Sequence, residues 1–200
     1  MGSVSMSAKR KQPEIIVFAG PNGSGKSTVT TMAKVIKPYI NADDIKASAQ
    51  LSDMEAAKRA EKIREDLVEQ GNGFTFETVL STDRNIKLLE KAKAKGYFIR
   101  CIYVLTVDPK INVLRVKSRV VAGGHPVPAA TTRLRYNRAL KLIPRLVKTC
   151  DICHIYDNSV EPFRIFKKRK DSLFVWESPL WSKEQIVDLV LNGKRTKKKQ

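Results

Sequence analysis

Residues 18–28, FAGPNGSGKST, combine closely spaced glycines with a lysine and adjacent hydroxyl side chains. Gly20 is followed, after four residues, by Gly25, Lys26 and Ser27, the spacing of a loop that binds nucleotide phosphates. Glycines let such a loop turn tightly and aim its N–H groups at an anion. Lys26 is predicted to contact the β- and γ-phosphates, and the Ser27 hydroxyl is predicted to bind Mg2+. The predicted nucleotide-binding residues are Gly20, Pro21, Asn22, Gly23, Ser24, Gly25, Lys26, Ser27 and Thr28.

A pair of carboxylates follows the next predicted strand, in the segment YINADDI. Asp43 and Asp44 are expected in a polar loop at the edge of the sheet where open α/β proteins bind their ligands. A carboxylate near the γ-phosphate can accept the proton of an attacking hydroxyl, as general-base catalysis requires. The same two residues could instead cap a helix, because Asp is favoured there.

Glu77 ends the next apolar strand, FTFETVL, and Thr78, Ser81 and Thr82 add hydroxyl groups beside it. The Glu77 carboxylate is predicted either to hold a ligand of the metal ion by a hydrogen bond or to accept a hydrogen bond from a second substrate. The alternative is a strand end that simply reaches solvent. Together with Asp43, these groups predict phosphoryl transfer to a hydroxyl. The molecule that carries this hydroxyl is expected to bind between Asp43 and Glu77, and Thr78 is expected to bind it as well.

Two arginines lie four residues apart, and therefore on one helix face, just before the segment GGHPVP. Residues 110–135 are predicted to form a lid. Arg115 and Arg119, which belong to this lid, are predicted to close on the transferring phosphoryl group and to stabilise it. A solvated basic helix is the alternative. His125 is interpreted as a turn residue and stays outside the catalytic set, which comprises Lys26, Asp43, Arg115 and Arg119.

The elements that position these residues alternate between short apolar strands and amphipathic helices, which favours parallel strands joined by crossover helices. We predict a three-layer α/β fold of the P-loop kind with a mostly parallel central sheet. A helix is predicted from Lys26 to Pro38, and a hairpin and a closing helix after residue 160. One domain is expected over residues 13–193, with flexible basic tails at 1–12 and 194–200.

The composition narrows the protein class. The 200 residues carry a net charge of +18, and the clusters at 9–11, 167–170 and 194–199 together hold twelve positive residues and no acid. This distribution favours solvated tails and phosphorylated ligands, although nucleic-acid binding stays open. The first residues lack the apolar segment of a secretory signal, so a cytoplasmic protein is expected. Cys101, Cys150 and Cys153 are interpreted as buried thiols, because the chain offers too few histidines for a zinc site.

The ordered set AGPNGSGKST, NADDI, FETVLST, RVKSRVVAGGHPVP, RYNRAL and DNS resembles the zeta toxin family of small P-loop kinases, over roughly residues 14–159. The resemblance is to a shorter, stand-alone member. It implies phosphorylation by Mg-ATP of the 3′-hydroxyl of a UDP-N-acetyl-amino sugar, and an antitoxin protein as partner. It also implies that Asp43 is the general base, that Lys26 binds phosphate, and that Arg115 and Arg119 stabilise charge. Glu77 and Thr78 fall in the substrate-side strand of the family.

Two other functions stay open. A nucleic-acid-associated kinase or ATPase is motivated by the basic tails and by the basic helix predicted at 129–150, although no aromatic platform for stacking bases is evident from the sequence. A slow ATPase acting as half of a regulatory pair is the other. A switch GTPase is not favoured, since no N-K-x-D follows a later strand.

Overall fold

The computed structural model describes residues 12–31, 33 and 35–195, and its centre is a seven-stranded sheet. The strands are β1 (Glu14–Ala19), β2 (Tyr39–Ile40), β3 (Phe74–Thr78), β4 (Phe98–Leu105), β5 (Ile152–Asp157), β6 (Phe163–Arg169) and β7 (Ser172–Val175). Their order is β2-β3-β1-β4-β5-β6-β7, with parallel pairing through β5 and antiparallel pairing for the last two. The mostly parallel α/β sheet and the hairpin predicted after residue 160 are confirmed.

The helices are α1 (Lys26–Thr30), α2 (Ala42–Ala49), α3 (Asp53–Gln70), α4 (Arg84–Ala94), α5 (Pro109–Val121), α6 (Ala129–Thr149) and α7 (Lys183–Asn192). Side chains next to the helix starts explain several of these boundaries. Ser52 and Ser182 each form a capping box with the residue three positions later. Asp108 caps α5, whose first residue is proline, a position at which the missing N–H costs nothing.

Two predictions about local structure are wrong. The helix that begins at Lys26 ends at Thr30 instead of continuing to Pro38, because this stretch is rich in β-branched residues, which are poor helix formers. The backbone N–H of Ile36 instead donates to Thr75 Oγ1 (2.8 Å). The polar loop expected around Asp43 is helix α2, which begins because Asn41 accepts a hydrogen bond from the Asp43 N–H (3.0 Å).

The main hydrophobic core lies between the sheet and helices α3, α4, α6 and α7. It includes the three cysteines, which are free and buried, as predicted. Burial raises the pKa of the Cys101 thiol, so this residue stays protonated and behaves as a small apolar side chain. Across the described residues, no helix is long and apolar enough to span a membrane.

Candidate active site

The phosphate loop follows β1 and is packed closely against later parts of the chain. Gly20, Gly23 and Gly25 have φ angles of 147°, 74° and 83°. A Cβ at Gly20 would overlap the carbonyl oxygen of Val104, and one at Gly23 would overlap that of Asn112. These glycines are therefore required by conformation and by space, which the sequence pattern predicts only in part.

Two buried asparagines hold the loop in place. Asn112 Nδ2 donates to the carbonyl of Asn22 (2.7 Å), and Asn158 Nδ2 donates to the carbonyl of Ser24 (2.9 Å). The sequence analysis missed both residues. Asn158 lies in the DNS segment directly after β5, so its position at a strand end was the available signal.

Lys26 is 8% exposed, and its Nζ lies inside the loop. It donates to the carbonyl oxygens of Gly20 (2.9 Å) and Pro21 (3.4 Å) and forms an ion pair with Glu77 Oε1 (3.6 Å). Burial lowers the pKa of Lys26, and the nearby Glu77 carboxylate opposes that shift. A single cation thus sits under the loop, held by backbone carbonyls and one carboxylate.

Glu77 and Thr78 lie at the carboxyl end of β3, next to the end of β1. Tyr39 Oη donates to Glu77 Oε2 (3.1 Å), and burial together with this carboxylate raises the pKa of Tyr39, which keeps its proton. The Thr78 hydroxyl oxygen accepts hydrogen bonds from Leu80 N (3.0 Å) and Asn85 Nδ2 (2.8 Å). Tyr39 was not among the predicted site residues.

A cavity of about 350 Å³ opens between the phosphate loop, α2, α3, the end of β3 and the segment after α5. Its charged lining residues are five cations and three carboxylates, namely Lys26, Lys46, Arg64, Arg119, Arg135, Asp43, Asp53 and Glu77. Of the other predicted site residues, Asn22, Gly23 and Thr78 line it; those that do not are Gly20, Pro21, Ser24, Gly25, Ser27, Thr28 and Arg115. The cavity is also lined by His125 and Ser81.

Asp43 lies in the first turn of α2, and its side chain is exposed at the cavity. Its charge raises the pKa of Lys26, whereas the charge of Arg119 lowers it, so both side chains lie within electrostatic reach of the Lys26 ammonium. Asp44, one residue further along the helix, does not line the cavity. Of the two carboxylates in the NADDI segment, Asp43 is therefore the one placed to meet a ligand.

The two arginines of α5 have different surroundings. Arg119 lies in the last turn, lines the cavity, and donates weakly to the His125 carbonyl (3.4 Å). Arg115 donates to the carbonyls of Asn158 (2.7 Å) and Ser159 (3.1 Å). Because Asn158 also holds the phosphate loop, Arg115 is connected to that loop through one residue.

The loop fits a polyphosphate, since it presents a buried ammonium and a Ser24 hydroxyl that is buried without a hydrogen-bond partner among the described residues. Among all the residues that the structure describes, no group of three or more His, Cys, Asp or Glu side chains could hold a metal. Mg2+ usually binds through one or two protein oxygens together with substrate phosphates. The Ser27 hydroxyl and the cavity carboxylates are protein oxygens that could serve as such ligands of Mg2+.

Comparison with other proteins supports the family resemblance that the sequence motifs indicate. The sequence model of the zeta toxin family matches residues 36–175, more than half of the chain. The match begins after the phosphate loop. A protein of Haemophilus influenzae described as uncharacterized is 30% identical over 131 residues, which cover 62% of this chain and 94% of that protein.

Solved structures share the fold at low sequence identity. A structure from the PezAT chromosomal toxin–antitoxin system of Streptococcus pneumoniae has a TM-score of 0.58 and 19% identity, covering 78% of this chain and 72% of that one. The AvrRxo1-ORF1:-ORF2 complex with ATP has a TM-score of 0.69 and 14% identity, covering 94% and 66%. The Pnkp1/Rnl/Hen1 RNA repair complex has a TM-score of 0.51 and 17% identity, covering 68% and 47%. The resemblance predicted from the motifs is confirmed: the chain belongs to the zeta toxin family and is a P-loop kinase.

Proposed function

We propose that this kinase transfers the γ-phosphate of ATP to a hydroxyl of a small molecule, with a UDP-N-acetyl-amino sugar as the first acceptor to test. The observation that carries the proposal is the shared cavity, which is lined by the phosphate loop with Lys26, by Asp43 and by Glu77. A phosphate donor and a hydroxyl acceptor bound there would meet beside a carboxylate. This geometry favours transfer to a second substrate over hydrolysis alone.

In the proposed reaction, the acceptor oxygen attacks the γ-phosphorus while Asp43 accepts the hydroxyl proton. The bond from the γ-phosphorus to the bridging oxygen breaks, and ADP leaves with the negative charge. Lys26 and Arg119 stabilise the charge that develops on the phosphoryl oxygens. Arg115 acts with them by holding Asn158, and through it the loop, in position.

Glu77 and Thr78 are proposed to bind the acceptor. One Glu77 oxygen faces Lys26 and the other accepts from Tyr39, so the carboxylate stays fixed and can accept a further hydrogen bond from an acceptor hydroxyl. The Thr78 hydroxyl already accepts two hydrogen bonds, so its proton is free to be donated. The two side chains would thus present one acceptor and one donor.

Mg2+ is proposed to be held by the Ser27 hydroxyl and the phosphates, where it would neutralise phosphate charge when bound. The nucleotide contacts are assigned to Gly20, Pro21, Asn22, Gly23, Ser24, Gly25, Lys26, Ser27 and Thr28. Residues 13–193 are proposed to form the kinase domain, with a lid near 110–135. Of the proposed tails, 1–11 and 196–200 lie outside the described residues.

The test is mass spectrometry of UDP-N-acetylglucosamine after incubation with the protein, Mg2+ and ATP. We expect a product heavier by one phosphoryl group with the wild type and far less of it in the same time with Lys26→Ala, because that lysine is proposed as the cation beneath the transferring group. Consumption of ATP without a change in the sugar nucleotide would contradict this acceptor.

An antitoxin protein is proposed as a partner, because the pneumococcal structure comes from a toxin–antitoxin system. Such a partner would be expected to block the cavity that holds ATP and acceptor. Inhibition by such a partner requires only that ATP or the acceptor be kept out of the cavity, so the chemistry of the site would stay the same.

A second candidate function, nucleic-acid binding, is favoured by one surface of the structure. The sequence analysis found no aromatic platform for bases, but the sheet brings aromatic and basic side chains of β5, β6, β7 and the residue after β7 close together. We define the basic–aromatic face as His154, Tyr156, Arg164, Lys167, Phe174 and Trp176. The strand register places His154 opposite Lys167 and Lys167 opposite Phe174. All six side chains are half-buried or exposed.

Contacts on this face combine aromatic rings with positive charge. The Arg164 guanidinium lies 4.6 Å from the centre of the Trp176 ring, and the rings of Phe174 and Trp176 stack with centres 6.1 Å apart. Burial and the neighbouring Arg164 and Lys167 lower the pKa of His154 to about 4, which leaves this ring neutral at pH 7. Aromatic rings next to cations suit the bases and phosphates of a single strand.

The measurement is fluorescence anisotropy of a labelled single-stranded RNA 20-mer over a range of salt concentrations. We expect the double variant Arg164→Ala/Lys167→Ala to bind more weakly and to reduce the slope of log affinity against log salt by about 1.4, since two phosphate contacts are lost. Lys58→Ala/Arg59→Ala, which removes two exposed cations from α3, is the matched control. Binding that vanishes when residues 1–12 and 194–200 are trimmed would assign the affinity to the tails instead.

A further inference from the structure

Three of the five cavity cations, Lys46, Arg64 and Arg135, have no role in the proposed chemistry, and of these Arg64 alone lacks an acceptor among the described residues. Arg64 lies on α3, is 7% exposed, and lines the cavity. Its Nε is buried with no acceptor, and its guanidinium forms no hydrogen bond or ion pair within the described part of the chain. The guanidinium lies over the ring of Phe76, whose centre is 5.1 Å from Cζ.

The other cations of the cavity all have acceptors. Lys26 donates to two carbonyls, and Lys46 forms an ion pair with Asp53 (2.6 Å). Arg119 contacts the His125 carbonyl (3.4 Å), and Arg135 donates to Asn22 Oδ1 (3.3 Å).

The nearby carboxylates on α3 do not pair with Arg64 either. Glu61 pairs with Arg84 (3.5 Å), and Glu65 forms no ion pair with the guanidinium. The buried Nε–H of Arg64 has lost water without gaining an acceptor among the described residues, which is costly. The charges of Glu61 and Glu65 and the Phe76 ring stabilise the guanidinium but do not accept a hydrogen bond from this group. Burial lowers the pKa of Arg64, although arginine stays charged at neutral pH.

The helix that carries Arg64 also leaves room for a ligand. Asp53, Ala56, Ala57, Ala60 and Arg64 line the cavity, at the spacing of one helix face. The alanines project little into the cavity, with Ala57 exposed and Ala56 and Ala60 buried beneath it, and the nine residues from Ala56 to Arg64 span eight helical rises, about 12 Å. An elongated molecule that passes over Ala57 would therefore have one end at Arg64.

Polar groups also line the cavity in the segment that follows β3, where Ser81 and Asn85 lie. Asn85 donates to Thr78 through Nδ2, which leaves its carbonyl oxygen free for a ligand. The Ser81 hydroxyl has no partner among the residues that the structure describes.

We propose that Arg64 binds an oxyanion of the acceptor, a phosphate or a carboxylate, at the end of the molecule remote from the hydroxyl that is phosphorylated. The acceptor is therefore an anionic molecule that lies along α3, with its reacting hydroxyl near Asp43 and its anion on the guanidinium fork of Arg64. This assignment rests on the proposed transfer to an acceptor in the same cavity. The guanidinium fork suits two oxygens of one anionic group.

The experiment is isothermal titration calorimetry with two probes, inorganic pyrophosphate and malonate. Each probe is titrated into the full chain saturated with Mg2+ and a non-hydrolysable ATP analogue. The analogue occupies the phosphate loop, so the probes report the rest of the cavity. We expect at least one probe to bind to the wild type, and Arg64→Met to weaken it by about tenfold or more, the loss of a charge-assisted pair. Arg59→Met is the control, because it removes an exposed cation from the same helix.

The pattern of binding identifies the anion. Binding of pyrophosphate alone indicates a phosphate, binding of malonate alone a carboxylate, and binding of both a general oxyanion site. Equal affinity of wild type and Arg64→Met, or no binding of either probe to the wild type, overturns the proposal. If Arg64→Met lowers the melting temperature, Arg64→Lys decides: a loss of about threefold or more supports the fork, and wild-type affinity overturns it.

Failure of this inference can be distinguished from failure of the proposed function. If the sugar nucleotide is not phosphorylated but the probes still bind in an Arg64-dependent way, the acceptor is a different anion. If UDP-N-acetylglucosamine is phosphorylated by Arg64→Met with an unchanged KM, the transfer stands and the role of Arg64 is structural.

Discussion

Replacing Lys26 by alanine is expected to lower the rate of phosphoryl transfer by about 10²–10³-fold, the usual effect of removing one group that stabilises charge in a transition state. The Lys26 ammonium lies beneath the phosphate loop and pairs with Glu77 (3.6 Å). Without it, the Glu77 carboxylate would face the incoming phosphates with its charge uncompensated. We therefore expect ATP affinity to fall as well, since repulsion replaces attraction at the same point.

The measurement is a titration with a fluorescent ATP analogue, followed by the transfer rate at saturating nucleotide. Lys117→Ala is the matched control, because it removes an exposed cation from α5 that does not line the cavity. Transfer by Lys26→Ala at a rate close to that of the wild type would remove this lysine from the mechanism.

Asp43→Asn is expected to lower transfer by about 10²–10⁴-fold, the range for loss of a general base, while ATP binding stays largely intact. The amide keeps the shape of the side chain but cannot accept the hydroxyl proton. The fold of α2 should survive, because its cap is Asn41, which accepts a hydrogen bond from the backbone N–H of residue 43.

Asp44→Asn provides a close control for Asp43→Asn. Both residues are exposed carboxylates in the first turn of α2, so both variants lose the same charge and the same interaction with the helix dipole. Asp44 does not line the cavity. Comparing single-turnover transfer rates of the two variants at saturating ATP isolates the chemical role, and equal rates would contradict the assignment of Asp43 as the base.

The different positions of Arg115 and Arg119, of which only Arg119 lines the cavity, show a limit of arguments from sequence spacing. Residues four apart share a helix face, and that rule treats Arg115 and Arg119 alike. In the fold, the end of β5 lies beside Arg115 and supplies carbonyl acceptors, whereas the last helical turn carries Arg119 to the cavity. Different neighbours along one helix thus separate two residues that the pattern makes equivalent.

The sequence by itself determined the phosphate loop, the mostly parallel α/β sheet and the hairpin after residue 160. These features depend on short-range chemistry, namely the conformation of glycine and the pattern of apolar residues. The same local rules failed after Thr30 and at Asp43, where a β-branched segment and a cap at Asn41 changed the expected boundaries.

Only the tertiary structure decided what surrounds the loop and the cavity. Asn158 bonds to Ser24 across 134 residues of sequence, and Tyr39 reaches Glu77 across 38. That the Nε–H of Arg64 finds no acceptor among the described residues is likewise a property of everything packed around it. Contacts of this kind depend on how strands are ordered in the sheet, and residue spacing along the chain carries no record of that order.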